Sequence, residues 1–214
     1  MAYKKIEGQI NKHSYTVSVV GLSGTESVKG RVGVGKSCLC NRFVRPAEDD
    51  FHNDHLSLLS AADFNGQVIN NDHWLYWGLA SRLADDGTEY SFNVVEQTEF
   101  LDDTTFAPLR GGKTDPYLKR CSQIKIQSAE KLMYICRDQL GLEDQFPEKK
   151  FPTGKVAVDG FVCVVDVSRS QDRSLESQLE FLSKILSALV KTKKPIVMAA
   201  TKMDEGSEAV MLVG

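Results

Sequence analysis

Gly30-Arg-Val-Gly-Val-Gly35-Lys36-Ser37 fits the pattern G-x-x-x-x-G-K-S. Backbone N–H groups of such a loop cradle phosphates, the lysine neutralises the terminal ones, and the serine hydroxyl is placed to ligate Mg2+. The surroundings agree with that reading. Upstream, Tyr15-Thr-Val-Ser-Val-Val20 is a β-branched run ending in Gly21, which reads as a strand and a turn. Downstream, Leu39 with Phe43 and Cys40 with Val44 stand at helical spacing, so a helix starts at Lys36 and stops before Pro46. Gly33, Val34, Gly35, Lys36, Ser37 and Cys38 are the expected phosphate contacts, with Ser37 the expected metal ligand. The loop is long for its class, because the strand ends at Gly21 and the lysine comes only at Lys36; residues 22–31 read as an insertion.

A second motif follows farther along. Gly160-Phe-Val-Cys-Val-Val165 reads as a buried strand, and Leu175, Leu179, Leu182, Leu186 and Leu189 as one stripe of an amphipathic helix. Ile196-Val-Met-Ala-Ala200 is another strand of buried type, running directly into Thr201-Lys202-Met203-Asp204. There a carboxylate accepts two hydrogen bonds from the N1–H and N2–H2 edge of guanine, which adenine does not offer, while the lysine stem packs on the ring. Thr201, Lys202 and Asp204 are therefore the expected base-reading residues. Strands alternating with helices predict a largely parallel sheet.

The remainder reads less sharply. His73 to Trp77 and Tyr90 to Val95, on either side of Asp85-Asp-Gly87, predict an antiparallel pair in which Trp74 and Trp77 face opposite sides. Leu101 to Thr114 has no clear period; Ser128 to Leu140 predicts a helix closed by Gly141, and Glu143 to Lys155 a loop. His52 and His55 lack companion ligands at metal-site spacing and read as solvated. Lys191, Lys193 and Lys194 read as charges complementing a helix C-terminus.

At 214 residues, 42% hydrophobic and 26% charged, the chain suits one globular α/β domain. A net charge of -3 argues against nucleic acid as a partner. Cys38, Cys40, Cys121, Cys136 and Cys163 lie in apolar stretches and read as reduced core residues. With a polar tail over 1–14 and no apolar run of membrane-spanning length, the expectation is a cytoplasmic protein without a transmembrane segment.

A P-loop, Asp166 after an apolar strand, and Thr201-Lys-Met-Asp204 after the next strand resemble the Ras superfamily, Thr201 in place of asparagine resembling its Rac-type members. Several phrases resemble one family more closely: Val20-Gly-Leu-Ser-Gly-Thr-Glu26, Gly35-Lys-Ser-Cys-Leu-Cys-Asn-Arg-Phe-Val-Arg-Pro46, Asn70-Asn-Asp-His73, Val95-Glu-Gln-Thr-Glu-Phe100, Ser128-Ala-Glu-Lys-Leu-Met-Tyr134 and Asp138-Gln-Leu-Gly-Leu142. Together they are similar to the N-terminal GTP-binding domain of the large multidomain Rho GTPase-activating proteins, the glucocorticoid-receptor DNA-binding factor type. The resemblance implies a P-loop NTPase fold with a Ras-like sheet and flanking helices over 15–206, insertions at about 22–31 and 102–155, GTP and Mg2+ as ligands, and Rho-family signalling proteins as partners through a longer protein. It further implies that the chain lacks the last strand and helix of that fold, with 207–214 a divergent tail.

At the hydrolytic positions the chain departs from Ras-like proteins. Glu96-Gln97-Thr98-Glu99-Phe100 stands where they have Asp-x-x-Gly-Gln, so Glu99 replaces the glycine that meets the γ-phosphate and Phe100 the water-orienting glutamine. Val32 replaces a small glycine, and Ser57 and Ser60 are the candidates for the Mg2+-binding switch threonine. The resulting expectation is a GTP-binding module with little or no hydrolysis. Its rivals are a slow GTPase, with Glu96 or Gln97 aiming the water, and a P-loop ATPase or kinase for which the base motif is accidental.

Overall fold

The computed structural model describes residues 11–22, 33–44, 46, 74–97, 101–102, 107–108, 114–127, 132–133, 149–150, 155–168 and 175–203. Most of the expected insertion at 22–31, together with Val32, His52, His55, Ser57, Ser60, Cys136, Glu99, Phe100, Asp204, residues 1–10 and residues 207–214, lies outside them, whereas Lys12 to Ser14 of the expected N-terminal tail belong to the first strand, extended by pairing with a neighbouring strand.

The chain folds as an α/β domain on a mixed five-stranded sheet. Its strands are β1 (Lys12–Gly21), β2 (Trp74–Leu83), β3 (Glu89–Gln97), β6 (Gly160–Asp166) and β7 (Ile196–Thr201), in the spatial order β7-β6-β1-β3-β2. Two further strands, β4 (Lys125–Gln127) and β5 (Lys155–Ala157), form an antiparallel ribbon leading into β6. β1, β3, β6 and β7 run parallel, whereas β2 pairs antiparallel with β3. The turn between β2 and β3 falls on Asp85-Asp-Gly87 as expected: Gly87 takes a positive φ of 81°, and the Asp86 carboxylate accepts the Thr88 amide at 2.8 Å. This arrangement is compatible with a Ras-like fold.

Among the described residues, three helices cover the sheet: α1 (Lys36–Val44), α2 (Thr114–Cys121) and α3 (Leu175–Val190). α1 packs on β1, β2 and β3, while α3 packs on β6 and on α2, where Tyr117 meets Phe181. The core runs through Val19, Val20, Val94, Val95, Phe161, Cys163 and Val164 in the central strands. At the end of β1 the backbone passes so close to β6 that a Cβ on Gly21 would lie 2.6 Å from the Val164 carbonyl oxygen, which only glycine permits.

Several sequence expectations need correction. Within the helix expected over 128–140, Leu132–Met133 is instead a short strand paired antiparallel with Lys149–Lys150, inside the expected loop. Helical spacing reports which side chains could share a face, and a competing strand partner overrides it. α2 begins where the aperiodic stretch Leu101 to Thr114 ends, in residues to which the sequence assigns no element; eight residues are too few to show a period, and its start is marked only by Asp115-Pro116. α3 forms as expected, but its buried stripe is Gln178, Phe181, Leu182, Ile185 and Leu189, leaving Leu179 half exposed. β7, expected to be buried, is the outer strand and exposes Val197 and Met198.

Candidate nucleotide site

Because β1, β3, β6 and β7 are parallel, their C-terminal ends gather at one edge, bringing together Gly21, Gln97, Asp166 and Thr201. β1 lies between β3 and β6, where the strand order reverses, and crevices at such switch points are where open α/β sheets bind ligands. The glycine-rich loop enters α1 here. Gly35, at φ 89°, supplies the carbonyl that accepts the Leu39 amide at 2.9 Å and so caps the helix. The amides of the first helical turn, at Lys36, Ser37 and Cys38, have no intrahelical acceptor and concentrate positive potential at the loop.

Lys36 is buried beneath the loop. Its ammonium donates to the Gln97 carbonyl at 2.8 Å and the Gly21 carbonyl at 3.3 Å. Burial pushes its pKa down, against the pull of the Glu96 charge. The Ser37 hydroxyl donates to one Glu96 carboxylate oxygen at 3.0 Å, and the Trp77 indole N–H to the other at 2.7 Å. Burial raises the Glu96 pKa, opposed by Lys36 and by these two hydrogen bonds. Trp77 sits where the β2–β3 register shifts between Tyr76 and Gly78, a bulge that accompanies its contact with Glu96.

The second motif is tied to the first through the backbone. The Thr201 hydroxyl contacts the Val34 carbonyl at 2.6 Å and the Val165 carbonyl at 3.0 Å, and its methyl group lies beside Gly35. Lys202 takes a left-handed φ of 57° and pairs with Asp166 at 2.6 Å. Burial raises the Asp166 pKa, but hydrogen bonds from Lys202 and Ser168 outweigh it and leave the pKa low. Gln178 of α3 donates to the Asp166 carbonyl.

The structure thus brings Gly33, Val34, Gly35, Lys36, Ser37, Cys38, Thr201 and Lys202 to one end of the sheet, with Asp204 outside the described residues. Gly33 has open space around it, Val34 is buried, and Cys38 is half-buried and in no disulfide. Cys40, Cys121 and Cys163 are buried and form no disulfide, as expected. Reading the sequence for binding residues missed three side chains. The sequence names Glu96 as part of the hydrolytic motif and as a candidate for aiming the water, and Trp77 for its strand face, whereas nothing local marks Tyr117, whose hydroxyl donates to the Gly21 carbonyl beside Lys36.

No protein-family model matches the chain. It is 57% identical over 195 residues to Rho GTPase-activating protein 35 of Rattus norvegicus, a match covering 91% of this chain and 13% of the relative. It is 53% identical over 194 residues to Rho GTPase-activating protein 190 of Drosophila melanogaster, covering 91% of this chain and 12% of the relative. The chain therefore spans about an eighth of the length of these curated relatives. It is related over most of its own length to one segment of the large Rho GTPase-activating proteins, the family its motif phrases resemble.

Proposed function

We propose that this chain is a P-loop module of a Rho-signalling protein that binds GTP with Mg2+ and leaves it largely intact. The observation that carries the reading is the convergence of Lys36, Ser37 and Glu96 under a loop that Thr201 joins to the base motif. The donor set fits the ligands. Ser37 and Glu96 would hold the hydrated cation, the α1 N-terminus and Lys36 would take the phosphates, and Asp204 would read guanine. When bound, the cation would neutralise phosphate charge.

Absent hydrolysis is supported by what the site residues are already doing. Both Glu96 oxygens are engaged by Ser37 and Trp77, and the Gln97 side chain is fully buried, which argues against either residue aiming a water. The sequence has Phe100 at the position of the water-orienting glutamine of Ras-like proteins and Val32 at that of their small glycine. Positioning supplies most of the rate in phosphoryl transfer, and losing one positioned donor costs about 10²–10³. The relatives are named for activating Rho GTPases; for this segment we propose a regulatory part within such a protein.

Calorimetry with GTP and ATP, followed by chromatography of the protein loaded with GTP and Mg2+, tests the proposal. Selective GTP binding with GTP recovered after many hours is expected. Equal ATP affinity would favour an ATPase or kinase, and conversion to GDP at or above about 3–5 × 10⁻⁴ s⁻¹ would favour an active GTPase.

A further inference from the structure

α2 and the C-terminal half of α3 enclose an open groove that is separate from the nucleotide site. Its apolar floor is Leu118, Ile124 and Ala188, with Ile124 40% exposed. Lys119, Lys184 and Lys191 line it, and Arg120 and Lys125 line a depression that adjoins it at Lys119 and Ile124, against Asp115 as the one lining carboxylate among the described residues. The chain as a whole is acidic, at -3, so this face runs against the overall charge.

These charges are largely uncompensated. Among the described residues, Lys119, Lys125 and Lys191 make no ion pair, and Lys184 has only an exposed contact at 3.6 Å with Glu180, one turn earlier on α3. The hydroxyls around the groove are committed to their own elements: Ser122 to the Leu118 carbonyl, Ser187 to Ser183 and Thr192 to Leu189. What the groove offers a visitor is therefore cationic walls and an aliphatic floor. Complementing the dipoles of α2 and α3 accounts for the cations nearest the two C-termini, but not for Lys184 within α3 or for the exposed isoleucine between them.

We propose that this groove docks an acidic amphipathic segment of a protein, its carboxylates facing the lysines and its aliphatic side chains entering over Leu118, Ile124 and Ala188. A shallow aliphatic floor running between two helices and rimmed by lysines suits an acidic helical or extended peptide, and complementary charge would set both on-rate and orientation.

The test uses the whole chain and a fluorescein-labelled synthetic peptide of alternating Glu-Glu and Leu-Leu pairs, followed by fluorescence anisotropy. Saturable binding that weakens with added salt is expected. The double variant Lys119→Glu/Lys191→Glu should weaken it at least about tenfold, and Ile124→Ser should weaken it several-fold with every charge kept, while Lys12→Glu, at the start of β1 and outside the groove lining, should leave it unchanged. Circular dichroism matching the parent shows that each variant folds; Ile124→Ser keeps the proposal falsifiable should the double variant not. Absence of saturable binding, equal loss in Lys12→Glu, or indifference to Ile124→Ser overturns the proposal. So does the chain sedimenting with phosphatidylserine vesicles while ignoring the peptide.

Discussion

The Thr201 hydroxyl lies 2.6 Å from the Val34 carbonyl oxygen, joining two motifs 167 residues apart in the chain. Through this contact the end of β7 and the phosphate loop are one piece of structure, so damage to either is felt at the other. Thr201→Val keeps the shape and removes the hydroxyl, leaving the Val34 and Val165 carbonyls without that donor. We expect a loss of about 1–2 kcal/mol in stability and weaker GTP binding, read by urea unfolding and calorimetry. Unchanged values in both measurements would show the contact to be incidental.

Glu96→Gln retains an acceptor for one neighbour but presents an amide donor to the other, and it removes the negative charge facing Lys36. If Glu96 helps hold a hydrated cation, nucleotide affinity in the variant should fall severalfold with Mg2+ and change little in EDTA. Titrations in both conditions decide the matter; an equal loss with and without the cation would assign Glu96 a purely structural role.

Asp166 gives the protein a predictable acid response. Its folded pKa is low, so the stability it contributes is present above the ordinary carboxylate range and is lost as pH falls through the depressed value. Asp166→Asn should therefore be less stable than the parent at pH 7, by about 1–3 kcal/mol, with the gap closing progressively as pH falls below the ordinary carboxylate pKa of about 4 and through the depressed value. Urea midpoints of the two proteins across that range supply the check, and a gap independent of pH would contradict the pairing with Lys202.

Gly21 and Gly33 should respond oppositely to alanine. At Gly21, with φ 148°, the added Cβ would press on the Val164 carbonyl, and at Gly33 it would meet open space. Gly21→Ala is expected to cost about 1–3 kcal/mol or more, and Gly33→Ala little, in thermal unfolding. Similar costs at both positions would mean that β1 and β6 do not approach as described.

Leu182→Ala should destabilise by about 2–5 kcal/mol and Leu179→Ala by far less, because only Leu182 is buried, although both belong to the leucine stripe read from the sequence. Equal losses in chemical denaturation would restore that stripe and displace the face built on Phe181 and Ile185.

What the sequence by itself determined is local. The phosphate loop, the helix that begins at Lys36, the β2–β3 turn and the strand-then-Thr201-Lys202 signature are each set by contiguous residues whose backbone demands and spacing announce them. Only the tertiary structure decided that Glu96 stands against Ser37, that Trp77 buttresses it, and that Tyr117 and Lys36 share the Gly21 carbonyl. Those partners come from separate strands and helices, and pairing registers, a bulge and helix packing, none of which leave a local signature, choose which side chains meet. The same holds for burial. A run of apolar residues such as Ile196 to Ala200 shows what could be covered, whereas its place at the sheet edge sets which of those side chains face solvent.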